Sequence, residues 1–240
     1  LLRQRAGALI ADARAIAPLL RDTKQGKVAL LRIGLVDSLS RALTVRLSGF
    51  LAERADEVTI LSGLTATHAS ELLTRRLDLF IGVDDLGEME GLERWELLVE
   101  PYILLLNRKH GAVRTVADLK RLAKSDPLIR FSARSQTGLD IERHLRRIGI
   151  EAPQSFAYDS PYAVTAMVAE GSGWAISTPL CVAEAAISSK DLVTASLPGA
   201  RVSRKLTLVA RLRELGQLPR DLALAARATL EDVSSRAHGV

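Results

Sequence analysis

The sequence predicts an α/β protein in which buried strands alternate with helices. Three short apolar segments carry this prediction: LRIGLV (31–36), EVTIL (57–61) and LDLFIGV (77–83). Between them, apolar residues recur at helical spacing over 39–51 and 69–76. Since parallel strands need a crossover between them, usually a helix, this β-α-β-α-β order indicates a parallel sheet.

A second set of alternating elements follows the first. Strand-like segments recur at 97–106 (interrupted by Pro101), 128–132, 155–158, 173–177, 192–197 and 205–211. Helices are predicted to begin near Thr115, Gly138, Pro161 and Pro179, and a last helix is predicted over 219–236. Asp118 stands three residues after Thr115, which predicts a capping box at the first of these helices.

Length and composition indicate a folded protein of one large domain or two small ones. The chain has 240 residues, of which 48% are hydrophobic and 25% are charged. No apolar run approaches the roughly 18–20 residues that a membrane span needs. The first sixteen residues are too charged for a secretory signal. We therefore expect a cytoplasmic protein that makes no contact with a membrane.

Cysteine, histidine and charge exclude several kinds of site. The single cysteine, Cys181, cannot form an internal disulfide, and the four histidines show no metal-ligand spacing. The net charge is +5, but the arginines are scattered along helices and few aromatic residues accompany them. Solvated basic faces explain this pattern better than a nucleic-acid surface does. The sequence predicts no metal site and no direct DNA binding by these residues.

The N-terminal residues 1–24 follow a heptad pattern. Apolar residues at alternating spacings of four and three form an a/d seam: Leu2, Ala6, Leu9, Ala13, Ile16 and Leu20. This predicts a linker helix that pairs with a second chain, and Pro18 predicts a kink within it. An amphipathic helix that packs on its own domain is the alternative. The first residue is Leu1 and not methionine, so we expect a fragment of a longer polypeptide.

Six segments, in this order, resemble the regulatory domain of LysR-type transcription regulators. They are LRIGLVDSLSRAL (31–43), SGLTATHASELLTRRLDLFIGV (62–83), LLVEPYILLLNRKHG (97–111), RFSARSQTGLDIERHLRRIGI (130–150), YDSPYAVTAMVAEGSGWAIST (158–178) and RKLTLVARL (204–212). The resemblance covers about residues 28–236 and implies the two-lobed type 2 periplasmic-binding-protein fold. It places lobe one at 29–104 and 207–236, and lobe two at 105–206. The winged helix-turn-helix of such regulators has no counterpart in the sequence.

The resemblance implies an effector-sensing function and no enzyme activity. A small molecule, favoured to be an organic anion, would bind between the lobes and modulate DNA binding by an absent N-terminal domain. A homodimer or homotetramer is implied, and no cofactor. A solute-binding protein of a transporter, which shares the fold, is the alternative. Enzymes on this scaffold need an acid–base pair, and no histidine or carboxylate partners the hydroxyl groups predicted near the cleft.

Seven residues are the candidate effector contacts. The resemblance implies Ser38, Thr65 in the predicted loop after the second strand, and Ser160 and Tyr162 around Pro161. Ser135, Gln136 and Thr137 stand at a predicted helix start. Free backbone amides and the positive end of the helix dipole suit an anion at such places. All of them except Ser160 have a structural alternative: Ser38 caps a helix, Thr65 forms a turn, the Ser135–Thr137 loop binds nothing, and Tyr162 packs as a half-buried aromatic.

Three further side chains are predicted near the cleft with two roles open for each. Arg41 and Arg134 could pair with an effector carboxylate through a bidentate fork, or remain solvated. Trp174 could narrow the cleft, or pack within lobe two.

Overall fold

The computed structural model describes residues 27–84, 86–152 and 156–237. The linker helix predicted over 1–24 lies outside the described residues. The strands are β1 (Val28–Val36), β2 (Ala55–Gly63), β3 (Leu79–Gly82), β4 (Leu92–Pro101), β5 (Ile103–Asn107), β6 (Ile129–Phe131), β7 (Phe156–Tyr158), β8 (Ala175–Ser177), β9 (Leu192–Ser196) and β10 (Ser203–Arg211). The α-helices are α1 (Ser40–Ala52), α2 (Thr65–Leu73), α3 (Val116–Ser125), α4 (Gln136–Arg147), α5 (Pro161–Ala169), α6 (Pro179–Ala185) and α7 (Leu218–Ala237).

Lobe one is built on a five-stranded sheet in the order β2-β1-β3-β10-β4. β1 is parallel to both of its neighbours, as the β-α-β-α-β pattern predicts. β10 is antiparallel to β3 and β4, so a strand from late in the sequence lies between two early ones. The inner strands are apolar on both faces because helices cover both sides of the sheet.

Lobe two contains the remaining strands, β5 to β9. β8, β5 and β9 form an antiparallel sheet, and β6 pairs with β7 in parallel. A bridge between Leu128 and Trp174 connects these two groups. Trp174 is completely buried in the core of lobe two, and its Nε1 donates to the Asp126 carbonyl at 3.1 Å. Trp174 therefore has the packing role.

The chain crosses between the lobes twice, and the two crossings are hydrogen-bonded to each other. β4 ends at Pro101 and β5 begins at Ile103 in the other sheet, where the sequence predicted a single interrupted strand. Between them, the Tyr102 amide donates to the Val202 carbonyl at 2.9 Å, just before β10 begins. The crossings thus form one connected hinge region.

Helix α6 packs against both lobes. Leu180 belongs to the core of lobe one, whereas the next residue, Cys181, belongs to the core of lobe two. Thr178 caps the helix by accepting the Cys181 amide at 3.4 Å. Because two successive side chains are buried in different cores, α6 joins the lobes in addition to the two crossings.

Candidate functional site

A buried arginine side chain lies at the junction of the two lobes. Arg204 is the second residue of β10, and its side chain is 1% exposed. Nη2 donates to Ser38 Oγ of lobe one at 3.0 Å, and Nη1 donates to Thr137 Oγ1 of lobe two at 3.1 Å. The structure therefore brings two of the predicted effector contacts to one guanidinium from opposite sides of the junction.

Glu100 balances the charge of Arg204. The two residues are partners in the ladder between β4 and β10, and Arg204 Nε donates to Glu100 Oε1 at 2.7 Å. Glu100 is completely buried, and its Oε2 accepts the Leu180 amide in the first turn of α6 at 3.1 Å. Burial lowers the pKa of Arg204, but the attraction and hydrogen bond of Glu100, together with Cys181 and Tyr102, outweigh that effect, so the pKa is raised and the guanidinium stays charged.

A cavity of about 340 Å³ lies beside this ion pair. Its lining comes from the loop after β3, from the start of α4 and from the start of β10: Val83, Asp84, Gln136, Asp140, Ser203, Arg204 and Lys205. Within the lining, Gln136 Nε2 donates to Asp140 Oδ1 at 2.9 Å. The cavity is thus bordered by both lobes and by the second crossing, with a mostly polar wall.

Tyr102 supports the cavity wall from the hinge. Its hydroxyl donates to Asp140 Oδ2 at 3.3 Å, and the side chain is buried. Burial raises the pKa of Tyr102, and the negative charge of Asp140 raises it further. The phenol therefore remains protonated and acts as a donor that holds Asp140 in place.

At the junction, a second carboxylate of the chain accepts a backbone amide at the start of a helix. Glu184 of α6 accepts the Arg41 backbone amide, in the first turn of α1, at 2.7 Å. In return, Arg41 Nε donates to the Glu184 carbonyl at 3.2 Å. Burial raises the pKa of Glu184 more than the contact with Arg41 lowers it. The backbone amide and the side chain of Arg41 therefore both take part in a contact between the lobes.

The Ser38 side chain does not cap a helix, which corrects the sequence interpretation. Ser38 lies in a 3-10 turn, Asp37–Leu39, and α1 begins at Ser40 without a side-chain cap. The strand β1 passes directly into this turn, so the hydroxyl points to Arg204 and not to a helix amide.

Thr65 and Ser135 already have local partners. Thr65 is buried at the start of α2, and its Oγ1 accepts the Val83 amide at 3.2 Å. Ser135 caps α4 by accepting the Gly138 amide at 3.0 Å, and its hydroxyl donates to the Ser132 carbonyl at 3.0 Å. These two hydroxyls position the loops beside the cavity.

Ser160, Tyr162 and Arg134 lie on the surface. Ser160 precedes α5 without capping it, and Tyr162 is 62% exposed in the first turn of that helix. Arg134 pairs with Asp159, Nη1 to Oδ2, at 2.9 Å on an exposed part of lobe two. The cavity wall does not include these residues.

Sequence reasoning missed the two central charges, Glu100 and Arg204. A signal for Glu100 was present, because it is the one charged residue in the apolar run LLVEPYILLL (97–106). A charge in such a run is expected to be paired if the run is buried. Arg204 gave no comparable signal, since it begins a strand in an arginine-rich stretch.

Neither a metal-binding cluster nor a membrane-spanning helix is present among the described residues. Across residues 27–84, 86–152 and 156–237, no three side chains of histidine, cysteine, aspartate or glutamate form a group that could hold a metal ion. Within the same part of the chain, every helix is too short or too polar to cross a membrane.

Solved structures of known proteins share this fold. A mutant form of Corynebacterium glutamicum OxyR matches with a TM-score of 0.75 and 16% identity, over 98% of this chain and 75% of that chain. The reduced form of the regulatory domain of OxyR2 from Vibrio vulnificus matches with a TM-score of 0.68 and 16% identity, over 85% and 97%. The Synechocystis PCC6803 CcmR regulatory domain, solved in complex with 2-PG, matches with a TM-score of 0.70 and 15% identity, over 83% and 96%.

These likenesses confirm the two-lobed periplasmic-binding-protein-like fold that the sequence predicted. No curated protein sequence matches the chain. The family described as the LysR substrate binding domain matches residues 24–231, which is most of the chain. The resemblance drawn from six sequence segments is thereby confirmed, and the chain belongs to the LysR substrate-binding domain family.

Proposed function

We propose that this chain is the effector-sensing domain of a LysR-type transcription regulator. A small molecule binds at the lobe junction and modulates DNA binding by an N-terminal domain of the full regulator. One observation carries the proposal: Arg204 contacts Ser38 of lobe one and Thr137 of lobe two at the edge of a polar cavity. A ligand that changes these contacts changes how the lobes meet, and so favours one arrangement over another.

In this proposal, Ser38, Gln136 and Thr137 bind the effector together with Arg204. The other predicted contacts either touch a larger effector or shape the loops around the cavity. They are Thr65, Ser135, Ser160 and Tyr162. Lobe one consists of about 29–104 and 207–236 and lobe two of about 105–206, with β5 and β10 extending across these bounds, and 1–24 form a linker helix. The role is one of binding, with no chemical step. The CcmR regulatory domain was solved with 2-PG, which supports small-molecule binding by this fold.

The proposal includes assembly and location. The regulator acts in the cytoplasm, and the sensing domains associate as a homodimer or homotetramer. Static light scattering of the 240-residue chain should give a mass above its own 26.0 kDa. A mass equal to one chain at micromolar concentration would rule out association through this part of the regulator.

Calorimetry against metabolite acids and neutral analogues of the same size tests the proposed function. The sequence favours an organic anion, so both classes belong in the panel. Ser38→Ala and Thr137→Ala should each weaken the best ligand by about 0.5–3 kcal/mol, the range for a lost hydrogen bond. Ser48→Ala is the control for Ser38→Ala, because Ser48 is exposed on α1 and its hydroxyl contacts only the Val45 carbonyl. If both site variants bind with full affinity, the effector site lies elsewhere.

A further inference from the structure

The positive groups at the junction are already matched by carboxylates of the same chain. Glu100 neutralises Arg204 and also accepts the amide at the start of α6. Glu184 accepts the amide at the start of α1. The Arg204 guanidinium and the first amides of α1 and α6, which would attract an anionic effector, are therefore already paired with carboxylates of the same chain.

The cavity wall is balanced in charge as well. Asp140 is paired with Arg143 through an Nη1–Oδ1 contact of 2.8 Å, and it also accepts from Gln136 and Tyr102. The remaining charged side chains of the wall, Asp84 and Lys205, have opposite signs. A free carboxylate placed beside Arg204 would put a second negative charge close to the buried Glu100 carboxylate, and two like charges at short range repel each other.

The wall does offer both hydrogen-bond acceptors and donors. Carboxylates at Asp84 and Asp140 accept, whereas Arg204, Lys205 and the Gln136 amide donate. Val83 is the single apolar residue among the seven that line the cavity, so little apolar surface is available to a hydrophobic ligand. A hydroxyl group donates and accepts at once, and therefore suits a wall of this mixed kind.

We infer that the effector is a small uncharged molecule with several hydroxyl groups, such as a polyol or a sugar, and that Glu100 sets this preference. The inference rests on the proposed function and replaces the organic anion that the sequence favours. The cavity of about 340 Å³ lies near the lower end of ligand pockets, which span about 300–1,000 Å³. A ligand the size of a pentitol or hexitol is consistent with that volume.

Matched probes of equal length test the inference directly. Sorbitol, gluconate and glucamine differ only in the group at one end, which is a hydroxymethyl, a carboxylate or an aminomethyl group. Ribitol and ribonate form a shorter pair. Binding of each probe to the 240-residue chain is measured by calorimetry and by the change in unfolding temperature. The polyol should bind at least about tenfold more tightly than the acid or the amine of its set, because neither charge finds an unmatched partner.

Glu100→Gln provides the second arm of the test. Without the Glu100 charge, Arg204 is unmatched, so the affinity of the acid relative to the polyol should rise by at least about tenfold. Glu96→Gln is the matched control, since Glu96 is exposed on the same strand, β4. The control should leave the ratio unchanged. Should Glu100→Gln fail to fold, the comparison of probes on the unmodified chain decides by itself.

The outcomes separate the inference from the proposed function. Tighter binding of gluconate or glucamine than of sorbitol to the unmodified chain overturns the inference. If Ser38→Ala weakens that preferred charged probe, the effector site still stands. Absence of binding by every probe at millimolar concentration also overturns the inference, and the metabolite panel then decides the proposed function independently. An unchanged acid-to-polyol ratio in folded Glu100→Gln shows that Glu100 does not set the preference.

Discussion

Arg204 and Glu100 face each other on adjacent strands and are both buried, although 104 residues separate them in the sequence. Taking two charges out of water is expensive, and their attraction offsets the cost only when the geometry and the remaining hydrogen bonds are good. Here the guanidinium also reaches Ser38 and Thr137, and the carboxylate also accepts the Leu180 amide. The buried ion pair is therefore stable only when these additional hydrogen bonds are also present.

Removing one partner of this pair should be far more damaging than removing both. Arg204→Met alone leaves the Glu100 carboxylate buried without its cation, which should lower the free energy of unfolding by about 3–5 kcal/mol. The double variant with Glu100→Met should regain most of that loss, since two apolar side chains need no pairing. Urea unfolding followed by circular dichroism measures both.

Arg134→Met is the control for the arginine substitution. Its ion pair with Asp159 is exposed, so its loss should change the free energy of unfolding by at most about 1 kcal/mol. Equal losses in the single and double variants would show that the Arg204–Glu100 charge balance is not what the fold depends on.

Gly138 should tolerate no side chain, because a Cβ there would lie 2.1 Å from the Ser132 carbonyl oxygen. The close approach sets where α4 begins, and α4 carries Gln136 and Thr137 to the junction. Gly138→Ala should lower the free energy of unfolding by about 1–3 kcal/mol, as overpacking does elsewhere.

Gly49→Ala is the matched control for that glycine. Gly49 lies in α1 with open space around its Cα, so alanine should raise the stability by about 0.5–1 kcal/mol through helix propensity. Chemical denaturation of the two variants side by side is the measurement. A neutral result for Gly138→Ala would contradict the described packing of α4.

Glu184 should make the chain less stable as the pH rises. Its pKa is raised in the folded chain, chiefly by burial, so the folded state holds the proton more tightly than the unfolded state does. Ionising Glu184 in the folded chain lowers the free energy of unfolding. This loss is absent below the ordinary glutamate pKa and complete above the raised pKa. Glu184→Gln keeps an acceptor for the Arg41 amide and removes the charge.

The Gln variant should therefore be slightly more stable than the unmodified chain at neutral pH, and the difference should vanish on acidification. Unfolding curves between the ordinary glutamate pKa and neutrality measure this. Glu53→Gln is the control, since Glu53 is exposed at the end of α1. A loss of stability at neutral pH in Glu184→Gln would show that the ionised carboxylate is the favoured partner of α1.

Trp174→Phe should destabilise lobe two without affecting ligand binding. The indole is buried in the core of lobe two, and its hydrogen bond to the Asp126 carbonyl would be lost. Losing this partly buried hydrogen bond should cost about 0.5–1.5 kcal/mol. Binding calorimetry of the folded variant should give the affinity of the unmodified chain. A weakened ligand would indicate that Trp174 reaches the effector site.

Periodicity predicted most elements of the fold. The alternation in 31–83 led directly to β1, α1, β2, α2 and β3, and the pairing of β1 with its neighbours is parallel as expected. The capping box at Thr115 and Asp118 is also present in the structure. Such signals arise from residues that are close together in the sequence, so they can be recognised without the structure.

The centre of the site was less accessible because it depends on distant pairings. The family resemblance led to Ser38 and a predicted helix start led to Thr137, but nothing local shows that Arg204 lies between them. That contact requires β10 to pair with β4. The residues of β10 do not themselves indicate which distant strands will be its neighbours in the sheet. The helix cap considered as the alternative for Ser38 was wrong because a 3-10 turn, and not the helix, follows β1 directly.

The position of β10 between β3 and β4 has a consequence for the order of events during synthesis. A ribosome makes β1 to β4 first, yet these strands cannot form a continuous sheet until the residues of β10 have emerged. Lobe two, by contrast, is contiguous from β5 to β9 and is complete before β10 is made. Lobe two can therefore assemble on the nascent chain, while the exposed edges of β3 and β4 wait for β10, the last strand of the described residues.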